Sequence, residues 1–163
     1  MTTPRLDEQL CFALYSASRA VIAAQRPGLN ELGLTYPQYL VMLVLWEEHS
    51  CTVSGLCQRL QLDSGTISPL LRRLETSGLV RRRRSAQDER SVLVDLTPAG
   101  VQLGERADCV VAALAEAVAT ATAEYDYEPA FDVDDLAGLR TTLHQLVDEL
   151  HRVNRIRTPG GSE

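Results

Sequence analysis

The sequence predicts a mainly α-helical chain carrying one small β-hairpin, and three observations lead there. Apolar residues recur at three- and four-residue intervals over most of the chain. Between about 79 and 96 that period gives way to two extended runs around a polar turn. Serine, threonine and aspartate stand just ahead of several apolar-periodic stretches, where helix N-caps belong. With 163 residues and 45% hydrophobic content, a real core fits one compact domain or a small domain with appended helices.

The elements follow in order. Leu6, Leu10, Ala13, Leu14, Ala17 and Val21 mark an amphipathic helix over about 6–25. Pro27, Gly28 and Gly33 in "RPGLNELGL" read as an interruption. Thr35 is placed as an N-cap, with Pro37 in the first turn of a helix to about His49. "CTV" is a short extended piece, Ser54 the next cap, and "SGLCQRLQL" a short helix. Asp63 caps another helix that ends near Ser77, with Gly78 as its left-handed stop. "LVRRRR" and "RSVLVDL" flank the turn "SAQDE" as a hairpin. Thr97 and Pro98 restart a long alanine-rich helix to about Ala123, an acidic connector follows, and a last helix covers about 132–153.

Charge narrows the function. The net charge is −6, yet Arg59 to Arg90 holds eight arginines against four acids, so that segment is +4 and the remainder −10. A basic patch on an acidic body is the footprint of a DNA-binding module on an unrelated scaffold. A short helix, a tight turn, a second helix and a basic hairpin together describe a winged helix-turn-helix. The flanking helices have apolar faces with little to cover within such a lobe, so they are expected to pair with a second copy as a dimerisation platform.

The stretch "DSGTISPLLRRLETSGLVRRRRSAQDERSVLVDLTPAG" resembles the recognition helix and wing of the MarR family of bacterial repressors. Asp88, Arg90, Ser91, Leu96, Thr97 and Gly100 carry the wing signature. "EQLCFALYSASR", "LTYPQYLVMLVLWE" and "LDSGTISPLLRRLE" resemble the organic-hydroperoxide-responsive branch more narrowly. The resemblance implies one such chain over 1–163. Residues 6–34 and 98–153 are its dimerisation helices, 35–97 its DNA-binding lobe and 154–163 a disordered tail. It implies a homodimer on an inverted-repeat operator, not an enzyme and without cofactor. The residues themselves, with no export signal, no paired cysteine spacing and no apolar run of spanning length, point to a cytoplasmic protein without metal or membrane.

Two groups of candidate residues follow. For DNA, Ser64, Thr66, Ser68, Arg72 and Arg73 face away from the apolar side of their helix. Arg90 sits at the wing tip with Asp88 placed to orient it, and Arg83 lies in a run suited to phosphates. Pro69 falls past the first turn, which calls for either local distortion or a restart capped by Ser68. For sensing, the resemblance assigns Cys11 as the peroxide-reactive thiol. Tyr36 matches one pocket tyrosine of the branch, Gln25 stands where the other is found, and Tyr15 and Tyr39 are further aromatic candidates. Some relatives form a disulfide between subunits, which makes Cys109 a candidate resolving thiol beside a low-molecular-weight thiol. Cys57 reads as core and Cys51 as a cysteine in an exposed connection. From the residues alone, Cys11 reads as a small core residue. Two alternatives stay open: a repressor released by a small aromatic ligand, and a thiol peroxidase using Cys11.

Overall fold

The computed structural model describes residues 3–85, 88, 90–125 and 133–157. The chain divides into two compact units, 1–119 and 120–163. In the first, a 3-10 turn at Leu6–Glu8 precedes α1 (Leu10–Ala24), α2 (Arg26–Leu32) and α3 (Tyr36–Glu48). Next come β1 (Ser50–Thr52), α4 (Val53–Leu60), α5 (Ser64–Thr76), β2 (Val80–Arg84), β3 (Val92–Leu96) and α6 (Pro98–Gly104). Helix α7 (Asp108–Tyr125) begins in this unit, and the second unit holds α8 (Val133–Arg157). The fold is mainly α with a small sheet, the architecture of a winged helix-turn-helix. No helix among the described residues is long and apolar enough to cross a membrane.

The caps explain most boundaries. Asp63 Oδ1 accepts from the Thr66 backbone N–H at 2.8 Å and starts α5. Gly78 sits at φ +71° just past its end, a conformation that suits glycine. Ile67, Leu71 and Leu74 lie one face down α5 and are fully buried against Val41, Met42 and Leu45 of α3, Leu56 of α4, and Val80 and Val94 of the sheet. This core fixes the outward face of α5 without any contact from that face.

Several boundaries differ from the sequence reading. Residues 26–32 are helical, because Pro27 occupies the first turn, where its missing N–H costs nothing. Gly28 is there for packing: a Cβ on it would stand 2.5 Å from the Cys109 carbonyl oxygen. "CTV" contributes a true strand, so the sheet has three strands in the order β1-β3-β2 rather than a lone hairpin. The cap of α4 is Thr52, whose Oγ1 accepts from Gly55 N–H at 2.9 Å, not Ser54. The long helix after Thr97 is two helices, and Gly104, the last residue of the first, lies where a Cβ would meet the Trp46 indole at 2.8 Å. Helix α8 runs to Arg157, four residues into the segment expected as a tail, while residues 158–163 and 126–132 of the acidic connector lie outside the described residues.

Thr97 ties the wing to α6. Its Oγ1 accepts from Gly100 N–H at 3.1 Å and donates to the Gly78 carbonyl at 2.6 Å. Thr97→Ala is expected to cost about 1 kcal/mol of stability. Urea unfolding checks it, as a lower midpoint with an unchanged slope.

Candidate nucleic-acid interface and thiol site

The exposed side of α5 carries Ser64, Thr66, Pro69, Arg72 and Arg73, with Ser68 half-buried. Two hydroxyl protons are already committed: Thr66 Oγ1 donates to Asp63 Oδ2 at 2.9 Å, and Ser68 Oγ donates to the Ser64 carbonyl at 2.6 Å. Their lone pairs remain as acceptors. Hydrogen bonds from Thr66 hold the Asp63 carboxyl below its ordinary value, so it stays ionised as the cap. Helix α5 is continuous through Pro69; Ser68 does not cap a new one. Proline lacks the N–H that would serve the Gly65 carbonyl, and this happens on the exposed side, where solvent can serve it instead.

The wing is built by its acids. Asp88 Oδ1 accepts from the Arg90 backbone N–H at 3.0 Å, and Oδ2 accepts from Ser91 Oγ at 2.7 Å. Asp88 thus folds the tip through the backbone instead of gripping the Arg90 guanidinium, which is left exposed. The Ser91 hydroxyl holds the Asp88 carboxyl below its usual value.

The arginine run of β2 divides by strand alternation. Arg82 turns to the recognition helix, where Glu75 accepts from its backbone N–H at 3.0 Å and its Nε at 2.9 Å. Arg81 and Arg83 lie on the opposite face with Asp95 of β3, directly across from Arg81. Asp95 Oδ2 accepts from Arg83 Nε at 2.5 Å and lies 3.6 Å from Arg81 Nε, while Oδ1 accepts from Ser50 Oγ at 2.7 Å. Arg83, expected on phosphate, therefore has a carboxylate partner within its own sheet. Sequence reasoning missed Glu75, Asp95 and Ser50. The one available signal was an acid interrupting the apolar residues of β3.

Glu75 supplies a pH-dependent prediction. The Arg82 guanidinium and backbone hold its carboxyl below the ordinary value. A depressed folded value stabilises the fold above the unfolded carboxylate value, and that stability is lost as pH falls through the depressed one. Glu75→Gln is expected to flatten the loss of stability below about pH 4, partly muted because both side chains are about a third exposed. Acid unfolding followed by circular dichroism measures it.

The thiols separate by environment. Cys11 is exposed on α1, a helix with no buried residue, one turn before the exposed Tyr15. Arg19 donates to the Tyr15 hydroxyl at 3.3 Å and lies over its ring. Gln25 ends α1, and its side-chain oxygen is buried with no hydrogen-bond donor among the described residues. Tyr36 is half-buried at the start of α3. Tyr39 is a core residue, edge-on to Trp46 at 6.1 Å between ring centroids. Burial raises its pKa, with Cys109 and Tyr36 adding to the shift.

Cys51 is buried, correcting the expectation of an exposed connection. Its place in β1 opposite Val94 turns the thiol into the core. Burial, with Glu48 beside it, pushes its pKa up to about 11, so it is an inert thiol. Cys57 is half-buried against the core. Cys109 donates weakly to the Gly28 carbonyl at 3.5 Å, and burial, followed by the Glu31 charge, raises its pKa.

A helix whose outward face is set by a core beneath it, beside a basic sheet, defines a winged helix-turn-helix regulator. Known proteins sharpen this. A family described as transcriptional regulator SarA/Rot matches residues 24–106. The organic hydroperoxide resistance transcriptional regulator of Bacillus subtilis is 40% identical over 92% of this chain and 95% of its own length. The regulator TtmR of Methylorubrum extorquens is 48% identical, over 85% of this chain and 69% of its own. Reduced AbfR, solved bound to DNA, matches with a TM-score of 0.68 and 34% identity over 90% of this chain and 94% of that one. The chain belongs to the MarR/SarA superfamily of transcriptional regulators, beside the organic-hydroperoxide branch.

Proposed function

We propose that the chain is a homodimeric operator-binding repressor that leaves DNA when an organic hydroperoxide oxidises Cys11. The observation that carries the reading is the position of Cys11: an exposed thiol on a helix with no fully buried residue. Leu10, Phe12, Tyr15 and Val21 are exposed on the same helix, and Leu136, Leu139, Leu150 and Val153 on α8. Such faces call for a second copy, and that copy closes a pocket over Cys11 in which the partner subunit's Tyr36 and Gln25 supply hydrogen-bonding groups. The related AbfR is known both bound to DNA in its reduced form and in a disulfide form, which supports a thiol switch of the same kind.

The oxidation step needs only the peroxide. The Cys11 thiolate attacks the terminal peroxide oxygen and the O–O bond breaks. The leaving alkoxide takes a proton and departs as the alcohol. The sulfur, oxidised by two electrons, becomes a sulfenic acid. A small thiol then condenses with it, giving a mixed disulfide and water. Cys109 is the other candidate partner, and burial followed by the Glu31 charge raises its pKa, which disfavours its thiolate form. In the reduced dimer, the two α5 helices enter successive major grooves, so half-sites lie about 10 bp apart, and Arg90 reaches the flanking minor groove.

Mass spectrometry after one equivalent of cumene hydroperoxide tests the reading. The expected product is one oxygen on the Cys11 peptide, exchanged for a thiol adduct when glutathione is added. Oxidation confined to other cysteines sinks it. A second reading has its own observation, a cavity of about 220 Å³ lined by Ile22, Arg26, Leu29, Leu34, Thr35 and Tyr36. Asn30 also lines it, so it is a small cavity with apolar residues, hydrogen-bonding groups and one cation, Arg26, which suits an aromatic acid as inducer. A Cys11→Ala protein still released by its inducer favours this second reading.

A further inference from the structure

Four consecutive arginines in a wing strand would hold any duplex by its phosphates, whatever the sequence. This protein answers three of them internally. Glu75 takes Arg82, and Asp95 takes both Arg81 and Arg83. Asp95 is well placed for this. It lies on the central strand of the sheet, with Ser50 opposite on one side and Arg81 opposite on the other. Its side chain is 12% exposed, while those of Arg81 and Arg83 are 70% and 48% exposed. The acid is sheltered and the cations reach solvent. Arg83 gives Asp95 the Nε–Nη2 edge, with Nη2 3.3 Å from Oδ1, the same edge a phosphate would take. Hydrogen bonds from Arg83 and then Ser50 hold the Asp95 carboxyl below its ordinary value, so it is ionised at neutral pH.

We propose that Asp95 is a specificity-determining residue: a built-in carboxylate that occupies Arg81 and Arg83 in place of DNA phosphates. It lowers affinity for DNA of arbitrary sequence and leaves discrimination to α5 and the wing tip. The inference rests on the reading of the chain as a DNA-binding protein. It departs from the expectation that Arg83 is a phosphate contact.

Asp95→Asn is the direct test. The amide is isosteric and keeps an oxygen for Ser50 and Arg83, but not the charge. Binding to a labelled pool of random duplexes is measured by fluorescence anisotropy between about 50 and 200 mM salt. A duplex selected from the same pool by the wild-type protein serves as the specific probe. The variant is expected to bind the random pool about tenfold more tightly. The slope of log affinity against log salt should steepen by about one to two, one per freed arginine. The ratio of selected to random affinity should fall accordingly. Random-pool binding that is unchanged or weaker, at an unchanged or shallower slope, overturns the proposal and makes Asp95 a support for phosphate-bound arginines. Should the variant not fold, the Arg81→Gln/Arg83→Gln double variant decides. An unchanged slope supports the proposal, and a slope shallower by about two overturns it. Wild-type protein that binds no duplex at all overturns the DNA-binding reading instead, so the two failures are distinct.

Discussion

Cys11→Ser is expected to hold a selected duplex as tightly as the wild type and to stay there when cumene hydroperoxide is added. Under the same treatment the wild type should lose about 3 kcal/mol of binding, roughly a hundredfold. Serine keeps the size and a hydrogen-bonding oxygen but cannot become a sulfenic acid. Cys11 lies on α1, a different element from α5 and the wing, so none of the candidate DNA-contacting side chains is altered with it. Release must then travel through the dimer. An oxidised or thiol-capped sulfur no longer fits under the covering subunit, the platform helices shift, and the two α5 helices lose their groove spacing. Electrophoretic mobility shifts with and without peroxide check this. A serine variant released as readily as the wild type would make Cys11 a packing residue. Tyr36→Phe, by contrast, should slow oxidation and leave DNA binding in reduced protein unchanged.

The second large effect is on stability. Gly100→Ala should cost about 3 kcal/mol, at the top of the range for overpacking. A Cβ at Gly100 would stand 2.1 Å from the Leu79 carbonyl oxygen and 3.1 Å from Leu96 Cδ2. The first neighbour is backbone and cannot rotate away. The same carbonyl also accepts from Thr97 N–H at 3.0 Å, so it is held in place. The only relief is to move α6 off the base of the wing. Chemical denaturation should show a lower midpoint, and reduced binding to a selected duplex should accompany it because the wing loses its anchor.

That glycine marks how far the sequence could be read. Thr97, Pro98 and Gly100 were visible as a helix start, and Gly100 as part of a wing signature. The reason for glycine there, contact with a carbonyl 21 residues earlier in the chain, was not visible. Helix α5 was legible because its cap, its buried Ile67, Leu71 and Leu74, and its Gly78 stop all agree locally. Helix α2 was not, since Pro27 and Gly28 look like loop punctuation until Gly28 is seen against Cys109 and Val110. Strand β1 is three residues long, too short to show alternation. At the site, residue types and helix faces were readable, but partners were not. The alternation of β2 predicts that its four arginines divide between two faces. It does not say that Glu75 and Asp95 stand waiting on those faces, because each pairing is a tertiary event.

Trp46 is the sole tryptophan of the chain. Its indole N–H donates to the Gly100 carbonyl at 2.8 Å, and its ring lies against Gly104 and edge-on to Tyr39. One fluorophore thus sits at the seam between α3 and α6, with no second tryptophan to blur its emission. A rearrangement that pulls α6 from the winged lobe would break that hydrogen bond and wet the ring, and the emission would move to longer wavelength. The protein therefore carries its own optical gauge. Stopped-flow fluorescence on unlabelled protein can time the structural step after peroxide addition separately from the sulfur chemistry that precedes it.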